Sequence, residues 1–144
     1  MILYADTSLL VSYYVSDANS VRAQTLLHAT TDPLIFTGLH RLELRNALAL
    51  GVFRQILTPA QAYAAWSNIT QDIRSRRLFP QPVNWAPVFR TAAQWAARHS
   101  GGIGCRTLDI LHVATAWKLQ AREFLSFDGR QRTLAQQLRF TVKP

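Results

Sequence analysis

Ile2-Leu3-Tyr4-Ala5-Asp6-Thr7-Ser8 decides how the rest of the chain is read. A short apolar run gives way to three helix-capping residues in a row, so a buried strand hands over to a helix with an acid at the junction. Glu123-Phe124-Leu125-Ser126-Phe127 is a second such strand, followed at once by Asp128. Leu34-Ile35-Phe36, bounded by Pro33 and Thr37-Gly38, is another. Arg77-Leu78-Phe79, ahead of Pro80 and Pro82, and Phe140-Thr141-Val142 complete the set. Helical patterns fill the intervals. Leu9 to Val15 is one, and a second, capped by Asn19 or Ser20, has Val21, Leu26 and Leu27 as its apolar positions. A third runs from Leu39 to about Phe53, and a fourth starts at Thr58-Pro59, with proline in the first turn, and reaches about Arg74. Trp85 to His99 is a fifth, ended by Ser100-Gly101-Gly102-Ile103-Gly104. Thr107 caps a sixth that continues to about Ala121, and Gly129 to Leu138 is the last. Short, wholly apolar strands alternating with helices predict an α/β protein, a three-layer α/β/α sandwich around a short-stranded, mostly parallel central sheet. Ligands in such sheets lie beyond the carboxyl ends of the strands, the edge at which Asp6 and Asp128 fall.

At 144 residues, with no repeat, low-complexity tract or long linker, residues 1–144 read as a single domain able to bury its own core. A hydrophobic share of 49% against 17% charged excludes a disordered chain. The one cysteine, Cys105, cannot form an internal disulfide, which favours a reducing cytoplasm. No basic region precedes the first apolar run, so no signal peptide is expected, and charged residues interrupt every apolar stretch before membrane length. Sixteen Lys+Arg against eight Asp+Glu leave a formal charge of +8, and fourteen of the sixteen are arginine. Such a balance steers a domain towards a polyanion, nucleic acid foremost.

With so few acids, their placement carries the information. Asp6 and Asp128 each have an ordinary reading as helix caps. Glu43 lies in Leu42-Glu43-Leu44-Arg45-Asn46-Ala47-Leu48-Ala49-Leu50, a helix apolar on nearly all sides and so expected to be largely buried, with Asn46 one turn along. Asp109 opens Asp109-Ile110-Leu111-His112-Val113-Ala114-Thr115-Ala116, also apolar almost all round. Its place near a helix N-terminus allows a capping-box reading. Ionised carboxylates in such surroundings need a partner or a metal. Two of them about 4 Å apart repel by roughly 4 kcal/mol at an effective dielectric near 20. An arginine could supply the counter-charge, although Arg41 and Arg45 do not share the face of Glu43. A divalent ion would supply it too, and an all-oxygen carboxylate set suits Mg²⁺ or Mn²⁺. In a basic domain that chemistry points to hydrolysis of nucleic acid.

At these residues the sequence resembles the PIN-domain ribonucleases of the VapC toxin type. The matching pieces are Asp6-Thr7-Ser8, Glu43-Leu44-Arg45-Asn46-Ala47-Leu48, Asp109-Ile110-Leu111-His112-Val113-Ala114-Thr115-Ala116 and Leu125-Ser126-Phe127-Asp128, in the family's order. The resemblance implies that Asp6, Glu43, Asp109 and Asp128 form a catalytic quartet holding one or two Mg²⁺ or Mn²⁺ ions, with Asp6 and Asp109 as the direct ligands. Thr7, Ser8 and Ser126 would orient the carboxylates, and Asn46 would stand beside the second acid. It implies cleavage of RNA to a 5′-phosphate and a 3′-hydroxyl, a homodimer, and a silencing antitoxin. Two departures stand out. Gln131 occupies a position that is apolar in many relatives, and Cys105-Arg106 stand where some carry a fifth acid.

Other signals are weaker. His112, one turn after Asp109, reads as a hydrogen-bonded core histidine before a metal ligand. Gly101 to Gly104 follows a helix and lacks a P-loop lysine, so it reads as a connection. Arg74, Arg76 and Arg77, with Arg130 and Arg132 beside Asp128, are candidates for RNA phosphates, against a solvated face. Trp66, Trp85, Trp95 and Trp117 read as packing residues. Asp6-Thr7-Ser8 is not Asp-x-Asp and the only lysines are Lys118 and Lys143, which argues against a phosphatase or phospho-acceptor. The remaining alternative is a non-catalytic RNA- or partner-binding PIN-like module.

Overall fold

The computed structural model describes residues 2–144. Five strands and seven helices follow one another as β1 (Leu3–Ala5), α1 (Thr7–Tyr14), α2 (Ser20–His28), β2 (Leu34–Phe36), α3 (Gly38–Phe53) and α4 (Pro59–Arg74), then β3 (Leu78–Pro80), α5 (Trp85–Ile103), α6 (Thr107–Lys118), β4 (Glu123–Leu125), α7 (Gly129–Gln137) and β5 (Thr141–Lys143). The strands form one sheet in the order β3-β2-β1-β4-β5. β1 pairs with β4, β2 with β3 and β4 with β5, all parallel. Every residue of β1 and β2 is buried. Since successive side chains leave a strand on opposite faces, both faces there are covered, as the α/β/α expectation requires. The outer strands β3 and β5 keep exposed residues. Among the described residues no helix is long and apolar enough to cross a membrane.

The chain divides into two compact units, one from the N-terminal segment through Asp6 together with Pro82–Pro144, the other Thr7–Gln81. In the first, β1, β4 and β5 carry α5, α6 and α7. Its centre is α6, in which eight consecutive residues, Asp109 to Ala116, are buried. Tyr4 and Phe124 stack at 5.8 Å, and Trp95 meets Trp117 edge-on at 5.8 Å. In the second unit α1, α2, α3 and α4 pack together beside β2 and β3.

Several boundaries differ from the sequence reading. α5 continues through Gly101 and Gly102 and stops at Gly104, whose φ of +77° is the left-handed conformation that ends helices. Arg106, not Thr107, is the N-cap of α6, and that helix stops at Lys118. α3 is not buried all round: Leu42 and Phe53 are 67% and 83% exposed. Its buried stripe is Leu39, His40, Leu44 and Leu48, an amphipathic spacing that the apolar outer positions disguise.

Candidate active site

In the first unit the site grows from the carboxyl ends of two paired strands. Ala5 stands opposite Leu125, and the next backbone N–H, that of Asp6, donates to Leu125 O at 3.0 Å. The strand pairing therefore fixes Asp6 beside the start of the β4–α7 turn, and its residue is 4% exposed. At that turn Ser126 Oγ accepts from the Asp128 N–H at 3.0 Å. Asp128 Oδ1 in turn accepts the N–H groups of Arg130 and Gln131, at 2.8 and 3.0 Å, so Asp128 does cap α7.

Asp109 is buried one turn into α6. Its Oδ2 accepts the backbone N–H of Arg106 at 3.0 Å, half of the capping box, and the Nε–H of the same arginine at 3.1 Å. Its Oδ1 lies 3.4 Å from Gln131 Nε2 as acceptor, and Gln131 Oε1 accepts from Ser126 Oγ at 2.8 Å. Gln131 thus ties the β4–α7 turn to Asp109. The residue that departs from the apolar pattern is 2% exposed and fills its place with hydrogen bonds instead of methyl groups.

The counter-charge in this unit is arginine. Arg106 Nη2 lies 3.9 Å from Asp128 Oδ2 while its Nε holds Asp109, and Arg130 Nη2 approaches Asp128 Oδ2 at 3.6 Å. Burial pushes the Asp128 carboxyl up, but the N–H groups of Gln131 and Arg130 and the charges of Arg130 and Arg106 outweigh it and hold it below the ordinary range. Arg132 is turned inward, Nη1 donating to Ser126 O at 3.1 Å.

The second unit carries Glu43. Thr7, the first residue of α1, donates from Oγ1 to Glu43 Oε2 at 2.7 Å. Thr7 is buried and Glu43 half-buried, while Ser8 and Asn46 are exposed. Arg41 and Arg45 are occupied elsewhere: Arg45 Cζ stands 3.6 Å over the Trp66 ring and Arg41 Cζ 5.5 Å over Phe36.

Carboxylate oxygen is the donor type that suits a hard dication, and the softer candidates have other work. His112 Nδ1 meets Tyr4 Oη at 2.8 Å in the core. The Cys105 thiol is pushed up by burial and by Asp109 and Asp128, and it contacts Arg130 O. Among the described residues no three His, Cys, Asp or Glu side chains are gathered as a metal site. What the first unit does show is a pair of carboxylates that has already collected a cation. Of the other candidate arginines, Arg77 donates to the carbonyls of Leu27, Thr30 and Asp32, so it staples the α2–β2 connection. Arg76 stands over Phe79 at 5.5 Å. Arg106 and Gln131 are the site neighbours whose roles were not legible. The signal for both was spacing, three residues before Asp109 and three after Asp128.

The fold and these acids define a class, and the PIN domain model matches residues 3–137: the chain belongs to the PIN domain family. Among solved structures it is similar to FitAcB from Neisseria gonorrhoeae, with 21% identity, 100% of this chain and 97% of that one covered, and a TM-score of 0.67. It is also similar to VapC20 of Mycobacterium tuberculosis, a toxin that cleaves the sarcin-ricin loop, with 20% identity, 99% of each chain covered and a TM-score of 0.68. VapBC2 from Rickettsia felis, bound to a DNA fragment from its promoter, aligns at 13% identity over 99% of this chain and 98% of that one, TM-score 0.66. No curated protein sequence matches it.

Proposed function

We propose that the whole chain works as one Mg²⁺- or Mn²⁺-dependent endoribonuclease domain, the toxin of a type II toxin–antitoxin pair acting in the cytoplasm. The observation that carries the reading is the convergence of Asp109 and Asp128 on one cation beside the end of β1, in a PIN-family chain that also keeps Asp6 and Glu43. A bound dication would polarise the phosphodiester and lower the pKa of its water. Asp6 and Asp109 are the residues to hold it, with Asp109 kept in register by Gln131 and the Arg106 N–H. Glu43, oriented by Thr7, and Asp128 would position the attacking water and receive its proton. Cleavage leaves a 5′-phosphate and a 3′-hydroxyl. Arg74, Arg76 and Arg130 are the proposed phosphate contacts, supported by the charge of +8, whereas Arg132, like Arg77, is engaged with backbone carbonyl oxygen.

The partners are RNA, an antitoxin and a second copy of the chain. The second copy is supported by exposed apolar residues of the α3–α4 hairpin: Leu42, Phe53, Ile56 and Tyr63 are 67%, 83%, 68% and 79% exposed. The arginines already paired with Asp109 and Asp128 favour one other reading, a non-catalytic RNA-binding PIN module. Incubation of RNA with the purified protein decides. An enzyme cleaves with Mg²⁺ or Mn²⁺, stops on EDTA, and loses activity in folded Asp6→Asn and Asp109→Asn variants. Parent-like cleavage by Asp6→Asn would defeat the assignment, and binding without cleavage would leave the module.

A further inference from the structure

Arg106 holds the two acids of the first unit in different ways. At Asp109 its backbone N–H and Nε–H share one oxygen, Oδ2, at 3.0 and 3.1 Å. At Asp128 only the charge reaches, Nη2 standing 3.9 Å from Oδ2. The arginine side chain is nevertheless 69% exposed, whereas those of Asp109 and Asp128 are 9% and 21% exposed. A solvated cation thus lies across two enclosed anions. We propose that Arg106 is a built-in counter-cation: it neutralises the Asp109–Asp128 pair when no divalent ion is bound and is displaced when one enters, so it sets the site's affinity for that ion. This rests on the metal-dependent reading above.

The local geometry makes displacement cheap. When the guanidinium swings out, Asp109 keeps its bonds to the Arg106 backbone N–H and to Gln131 Nε2, and Asp128 keeps the two N–H groups at the start of α7. What is lost is the Nε–H bond to Asp109 and the 3.9 Å ion pair with Asp128, both made by a guanidinium that returns to solvent. Without the guanidinium the two carboxylates would repel, the condition that favours either protonation or a dication. Arg130 is the internal comparison, since it approaches Asp128 alone, at 3.6 Å. A purely structural cap would act through the backbone and leave ion affinity unchanged.

Calorimetric titration of Mn²⁺ into the full chain at low ionic strength tests this with no reference to turnover. Melting curves on the parent, R106Q, R106K and R130Q proteins verify that each is folded. R106Q should bind Mn²⁺ at least about threefold more tightly than the parent, since one opposing charge is gone. R106K, which keeps the charge, should stay near the parent value, R130Q should change less than R106Q, and the differences should shrink as salt is raised. Equal or weaker binding by R106Q, with the parent still binding Mn²⁺, overturns the counter-cation and leaves the nuclease reading intact. Absence of Mn²⁺ binding by every protein at millimolar concentrations overturns both.

Discussion

Tyr14 and Asp72 come from helices far apart in sequence, yet Tyr14 Oη donates to Asp72 Oδ2 at 2.6 Å. They stand in the wall of a polar cavity of about 510 Å³ shared with Tyr13, Gln24, His28, Asn68 and Gln71. Burial, then the bond to Asp72 and its charge, push the Tyr14 phenol well above its ordinary 10.0. The sign follows from linkage. A group whose pKa is raised by folding contributes fully below its unfolded value and loses that contribution as pH climbs past it. The parent should therefore lose stability from about pH 10 upward. Tyr14→Phe should be less stable by about 1 kcal/mol at neutral pH, the net worth of one hydrogen bond, and should show a flatter alkaline limb. Urea unfolding across pH 8 to about 11 measures both, and parallel limbs would remove Tyr14 from the account. Single residues of the candidate site divide similarly. Asp6, Asp109 and Asp128 were visible as acids at strand ends or on an apolar helix. Arg106 and Gln131 were marked only by their spacing from Asp109 and Asp128, which does not say what a long polar side chain will reach.

Helices were the most legible elements, and their ends the least. α4 begins as read: Thr58 Oγ1 accepts the Gln61 N–H at 3.1 Å and Gln61 Oε1 accepts the Thr58 N–H at 2.8 Å. α3 has the same device, unannounced, because its third residue is a histidine: His40 Nδ1 accepts the Thr37 N–H at 3.1 Å in the core. The two caps differ in solvent access, and that difference makes a prediction. Thr58→Ala should cost about 1 kcal/mol, while Thr37→Ala, which strands buried polar groups, should cost roughly twice that. Denaturant midpoints compare them directly, and equal costs would mean that burial adds nothing to the worth of the Thr37 cap. α3 also shows where pattern alone misleads. Leu42 and Phe53 look like core residues and are among the most exposed, because apolar character marks what a surface can bury, not whether its own chain buries it.

At the scale of the molecule, the exposed apolar side chains of the α3–α4 hairpin are the feature that the chain's own core does not explain. Phe53→Glu should leave the fold nearly unchanged and abolish the proposed self-association, read as a fall in mass by light scattering. An unaltered mass would move the proposed self-contact away from this hairpin. The arginine-rich charge belongs to the same scale: the proposed RNA binding should weaken steeply with salt in a filter-binding titration, since each phosphate contact releases counterions.

Hydropathy order by itself determined the succession of strands and helices and the parallel sheet, because each rests on local periodicity, and the motifs around Asp6, Glu43, Asp109 and Asp128 carried the resemblance to PIN domains. Tertiary structure alone decided that Gln131 joins Ser126 to Asp109, that Arg77 staples carbonyls, and that Arg106 spans Asp109 and Asp128. These are the contacts of long side chains across turns and between elements. Their partners are fixed by where the backbone brings two distant segments, a quantity that no local pattern encodes.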